Sequence, residues 1–263
     1  MENYRSALEF VERAQLSSAS EFLESELEVL QTPQAALDQL NLDHLPKSLV
    51  AGNTLLDLSA TPETIRGPLS LALAFAGRAA SAATIGKPEM DEDDWFAEYK
   101  SNLMRLGFGV SPSAFVTSRF KKKNVAVHKA IIPFLTIALG GAGVGPVILE
   151  LLKSLNSMDE NQPWITLFNK ESRKFDIREM SFGAVASDIV ETRIRHVTAR
   201  LQVSDKALNI LFFKITSASA EFESATTLFS INNNLLAVLE KPLRDRLEQS
   251  ALDFIRIAPL TNG

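Results

Sequence analysis

The sequence predicts an α+β fold: a mainly helical part over 1–160, then an antiparallel sheet of roughly four to five strands with a closing C-terminal helix over 161–263. Three observations predict it. In the first half, apolar residues recur every three to four positions, the spacing of one helix face. After Asn161, short runs rich in β-branched and aromatic residues alternate with turn-forming residues, the mark of strands. Between the two lies an uncharged stretch, 130–149, broken by glycines and prolines, which reads as a central apolar helical hairpin.

Taken in order, Tyr4, Leu8 and Val11 put residues 2–16 on an amphipathic helix. Ser18 with Glu21 forms a capping box that opens a second helix over about 19–31, with Phe22, Leu23, Leu27 and Leu30 inward. Thr32-Pro33 is a cap followed by a first-turn proline, and it starts a short helix ending near Leu40. Residues 41–60 mix Asn, Pro, Gly and Leu and read as an extended connection. Thr61-Pro62-Glu63 repeats the cap-proline start. The Ala- and Leu-rich helix that follows, 62–84, is apolar on most faces and belongs in the core. Asp91 to Asp94 set negative charge in the first turn of the next helix, where the macrodipole favours it. Trp95, Tyr99, Leu103 and Leu106 line its inner face, and Gly107 suits its C-terminal cap. Residues 108–120 read as a short hairpin or a loop.

The run AIIPFLTIALGGAGVGPVIL, 130–149, is twenty residues without a charge, long enough for a transmembrane candidate. Pro133, Gly140, Gly141, Gly143, Gly145 and Pro146 interrupt it, so it reads as a helix over 125–139, a turn over 140–145 and a helix over 146–156. Two roles are open to such a hairpin. It is either core, or an element concealed in the soluble form and released into a bilayer, where a helix satisfies its own backbone. On the second reading the membrane-active residues are Ile131, Phe134, Ile137, Gly141, Gly143, Val147 and Leu149. Lys121, Lys122, Lys123 and Lys129 then form a basic flank for anionic headgroups. A phosphate loop fails on spacing: the third glycine position is Pro146, and no Gly-Lys-Ser/Thr follows.

The expected strands are WITLF (164–168), KFDIREM (174–180), 190–203, NILFFKI (209–215) and 220–231. One face should pack on helix 62–84 and the other stay partly wet, with Phe212, Phe213, Ile215, Phe222 and Phe229 as core candidates. In 190–203 the apolar parity switches from Val190 and Ile194 to Val197, Leu201 and Val203, which predicts a bulge near His196. Helical spacing returns after Asn234 and restarts at Pro242, ending before Pro259. Nothing marks an internal boundary, so 1–263 reads as a single globular domain.

The net charge of -5 argues against non-specific nucleic-acid binding, which needs a basic surface. With no cysteine, disulfides, cysteine-zinc sites, iron–sulfur clusters and thiol nucleophiles are excluded together. His44, His128 and His196 are too scattered for a metal motif, and Asp91, Glu92, Asp93 and Asp94 fan out around a helix rather than converge on an ion. No Gly-x-Ser-x-Gly or His-Glu-x-x-His occurs. No cofactor or metal is therefore expected. The charged N-terminus lacks a secretory h-region, which points to a cytoplasmic product or one exported by a route that reads no cleavable signal. The expected function is a non-enzymatic, conditionally membrane-active protein of the toxin or virulence-factor type, with a lipid membrane or a protein as partner. The alternatives are a soluble binding or assembly module, and an enzyme whose site is assembled from scattered carboxylates and arginines.

Overall fold

The computed structural model describes residues 2–17, 43, 45–51, 54–84, 87, 92–111, 116–119, 125–139, 146–159, 162–172, 178–202, 214–215, 221–247 and 255–257. Its helices are α1 (Glu2–Arg13), α2 (Glu63–Thr84), α3 (Glu92–Arg105), α4 (Val127–Ala138), α5 (Pro146–Ser154), α6 (Pro163–Glu171) and α7 (Asn233–Leu247). Its strands are β1 (Ser48–Ala51), β2 (Thr54–Ala60), β3 (Gly109–Val110), β4 (Val116–Arg119), β5 (Val125–Ala126), β6 (Arg178–Ser187), β7 (Glu191–Gln202), β8 (Lys214–Ile215), β9 (Glu221–Asn232) and β10 (Ile255–Ile257). Eight of these strands make one sheet in the order β10-β1-β2-β6-β7-β9-β3, with β4 also on β9, while β5 and β8 pair separately. The sheet is mixed: β2 and β6 run parallel, and the other pairs are antiparallel.

Alternation along the strands sends side chains into two separate cores. Leu49, Leu56, Leu58, Val185, Ile194, Phe229 and Ile231 pack under α1, α2, α3 and α7. Val50, Leu55, Phe182, Ala184, Val197 and Ala199 pack under α4, α5 and α6. The result is three layers, helices on both faces of the sheet. Toward β9 the second face opens, and Leu228 there is exposed. The expected partly wet face is thus corrected: among the described residues, the second face is covered over β1, β2, β6 and β7 and is open only toward β9.

The α+β class holds, but several sequence expectations need correction. Among the described residues the sheet has eight strands and one parallel pair instead of four to five antiparallel strands. Residues 48–51 and 54–60, read as part of a connection, form β1 and β2, because LVA and LLDL are short apolar runs buried on both faces. WITLF is part of α6; Trp164, Ile165, Leu167 and Phe168 are buried, and periodicity alone does not separate such a run from a strand. No bulge interrupts β7, whose register with β9 runs unbroken from Glu191 to Gln202. The parity switches because Ile194 and His196 face one core while Val197 and Ala199 face the other. α7 runs through Pro242 without a restart, and Ile255–Ile257 is a strand instead of helix. Where 108–120 is described, β3 and β4 each pair with β9 and not with each other, which is not the pairing of a hairpin. Phe229 is buried as expected, whereas Phe212, Phe213, the side chains of Ile215 and Phe222, and the helices read over 19–40 lie outside the described residues.

The cap read at Gly107 holds, and the structure adds one at Asn232. Asn232 Oδ1 accepts the Asn234 and Leu235 N–H groups at 2.9 and 3.3 Å and so caps α7. After α3, the Gly107 N–H donates to Met104 O and the Phe108 N–H to Leu103 O, both at 2.9 Å, which is a Schellman ending. Gly107 sits at φ 95°, and a Cβ there would lie 2.3 Å from Leu235 Cδ2. Replacing Gly107 by Ala is expected to cost roughly 1–3 kcal/mol, from the left-handed backbone and the displaced Leu235. An unchanged urea midpoint would contradict this placement.

Candidate functional site

The uncharged run forms two helices of different environment. On α4, Val127, His128, Ile131 and Leu135 turn inward at three-to-four spacing, followed by Leu139 just beyond it, and are buried against the sheet. The other face is open. Lys129 and Pro133 are exposed, Ile132, Phe134 and Thr136 are half-buried, and Ile137 is 81% exposed. On α5, Val147, Ile148, Leu149, Leu151 and Leu152 are buried, Pro146, Glu150 and Lys153 are exposed, and Ser154 is half-buried. The two arms pack against each other. Of the candidate membrane residues, Ile131, Val147 and Leu149 are therefore core, Phe134 is at the boundary and Ile137 is surface. Gly141, Gly143, Lys121, Lys122 and Lys123 lie outside the described residues. The expectation of a buried hairpin is corrected for α4: half of it is buried and half is a surface.

α5 is fixed at its start by a residue that sequence reading did not single out. Asp57, buried on β2, accepts the Val147 N–H through Oδ2 at 3.1 Å and the Ser59 N–H through Oδ1 at 2.9 Å. Pro146 opens the helix without an N–H of its own, so Val147 supplies the first donor. A carboxylate there also meets the positive end of the helix dipole. The only signal in sequence was an aspartate interrupting the apolar run LLDL, with no hint of a partner ninety positions away.

On the opposite face of the sheet, the expected histidine His196 is buried in an aromatic cage. Its ring centroid lies 5.9 Å from Phe96, 6.2 Å from Tyr99 and 5.6 Å from Phe229. Nε2 is 3.4 Å from Thr54 Oγ1, and Nδ1 is 3.5 Å from Thr198 Oγ1. Burial pushes the imidazole down to about 4 and the Tyr99 phenol up. His196 is thus a neutral core group. His128 is also buried, and His44 lies outside the described residues. In the acidic run, Asp93 holds the buried Arg200 at 2.7 Å, so that charge closes an ion pair between α3 and β7. Among the described residues, no group of three His, Asp or Glu is placed to hold a metal ion.

The chain matches no protein-family model and no curated protein. Among the described residues, no helix is long and apolar enough to cross a membrane. α4 has 12 residues and α5 has 9, about 18 and 14 Å at 1.5 Å per residue, against a hydrocarbon layer of about 30 Å.

Two outcomes test this geometry. Replacing Asp57 by Ala should cost about 1–3 kcal/mol, because the Val147 and Ser59 donors are left unpaired. It should also speed hydrogen exchange at the Val147 amide, and Asp57→Asn should restore part of both; unchanged exchange would show that the cap does not hold α5. The folded-state pKa of His196 lies below its ordinary value of 6.5, so the unfolded chain takes the proton first. Its contribution is whole above pH 6.5 and is lost as pH falls toward 4. Over that window the parent should lose roughly 3 kcal/mol more stability than His196→Gln. Parallel pH profiles for the two would remove His196 as the cause.

Proposed function

We propose that the chain is a non-enzymatic, conditionally membrane-active protein that meets the bilayer with α4. What supports this is the outward face of α4: Ile137 at 81% exposure beside the exposed Pro133, with Phe134 and Ile132 half-buried at its edges and Lys129 at its start. An apolar helix face edged by a lysine suits the boundary between headgroups and acyl chains. The lengths of α4 and α5 favour lying in that boundary over crossing it. The Asp57 cap holds α5 on the sheet, and α4 is the arm that presents an apolar face to solvent. A toxin or virulence role is the broader form of the same proposal and rests on this segment alone.

The test uses two aspartate substitutions that the structure separates. Ile137→Asp sits at the surface and should leave unfolding within about 0.5 kcal/mol of the parent. It should lower binding to vesicles of phosphatidylcholine and phosphatidylglycerol on the order of tenfold, the effect of removing one isoleucine from the apolar phase. Val147→Asp buries a charge and should destabilise the fold by several kcal/mol. If the parent binds no vesicle between pH 4 and 8, the membrane reading is wrong. The open face of α4 then belongs to a protein partner, as in a soluble binding module.

A further inference from the structure

We propose that the turn between β6 and β7 is a second lipid contact, a rigid wedge that puts Ile189 and Val190 into the headgroup–acyl boundary. This rests on the reading of the protein as one that works at a membrane, and it assigns a contact outside the uncharged run. Ile189 is 97% exposed and Val190 is 63% exposed, adjacent aliphatic side chains at the tip of the longest hairpin in the described sheet. Sequence reading assigned Val190 to a strand and gave Ile189 no role.

The turn is held in one shape. Asp188 Oδ1 accepts the Val190 and Glu191 N–H groups at 2.8 and 2.9 Å, and the Asp188 N–H donates to Glu191 O at 3.0 Å. From the start of α7, the Asn233 N–H donates to Val190 O and its Nδ2 to Asp188 O, both at 2.8 Å. Thr192 Oγ1 donates to Asn233 Oδ1 at 2.7 Å and fixes that side chain in turn. Of the peptide groups of Asp188 to Glu191, those of Ile189 are the ones for which no such bond is formed.

These bonds select the occupant. Entering an apolar medium costs several kcal/mol for each peptide group that loses water without a partner. Here nearly all of that requirement is met before contact. A convex tip of two aliphatic side chains also suits a deformable lipid surface, which needs no pre-shaped socket. The local charge fits a boundary position: Arg193 reaches Glu191 at 2.7 Å and Asp188 at 3.4 Å, leaving the rim with one excess negative charge. Burial of apolar surface must therefore drive the insertion, not attraction to anionic lipid. The tip stands at the same end of the sheet as the start of α5. Asp57, which caps α5, pairs across the sheet with Ala184, and β6 ends at Ser187 just beyond it.

The absence of cysteine makes the experiment direct. Ile189→Cys and Ile137→Cys are each labelled with a nitrobenzoxadiazole dye and mixed with vesicles of phosphatidylcholine alone, or of phosphatidylcholine with phosphatidylglycerol. The label at 189 should brighten and shift to the blue with both, be quenched by lipids carrying a shallow spin label, and keep its signal in high salt. Val190→Asp should lower vesicle binding about tenfold with an unchanged melting temperature. A label at 189 that stays wet while the label at 137 responds overturns the wedge and leaves the α4 reading standing. A response at 189 with silence at 137 upholds the wedge and removes α4 as the contact. Silence at both overturns both, and the exposed tip then passes to a protein partner.

Discussion

The parallel pairing of β2 with β6 is the constraint on which the rest of this structure depends. Antiparallel neighbours can be joined by a tight turn, as β6 and β7 are, but parallel neighbours need a long crossover. Here everything between Ala60 and Arg178 belongs to that crossover. It carries α2 and α3 to one face of the sheet and α4, α5 and α6 to the other before the chain returns beside β2. A parallel pair is stable when both faces are covered. The apolar content of LLDL and of Phe182 to Val185 on β6 is matched to that two-sided burial.

Covering both faces raises the cost of each polar group left inside, and the fold answers with specific partners. Without the start of α5 the buried Asp57 carboxylate would keep only the Ser59 N–H, and without Asp57 the start of α5 would lose the acceptor of its first donor. Arg200 is held by Asp93 from α3. His196 has only two long hydroxyl contacts, so it stays neutral, and the aromatic rings around it are compatible with an uncharged imidazole. The first two of these contacts tie a helix of the crossover to the sheet, and the hydroxyl contacts of His196 tie β7 to β2. The polar core therefore fixes where the layers sit, while the apolar core supplies most of the driving force.

A scaffold held this firmly presents its exposed apolar residues in set positions. The open side of α4 and the β6–β7 tip are different devices. One is a helix face whose inner half is core, so its partners are decided by which residues the sheet leaves uncovered. The other is a turn whose shape is decided by Asp188 and Asn233 and whose side chains project because nothing packs above them. Both offer aliphatic surface on fixed backbone, which reduces the ordering cost of any association.

Local physics was legible in the sequence. The amphipathic first helix, the buried helix from Glu63, the stop at Gly107 and the breaks on either side of 140–145 follow from side-chain chemistry acting within a few residues. What the sequence did not determine were matters of long-range pairing. Whether WITLF is helix or strand, whether 48–60 joins the sheet and why the parity of β7 switches depend on what covers each face. No single segment carries that information. The uncharged run shows the division well. Its two helices and their break were written in proline and glycine, but tertiary structure alone decided that α5 is buried and capped by Asp57 while Ile137 on α4 faces out. A helix carries its apolar residues wherever the chain places them, and only the packed neighbours determine which of those residues water still reaches.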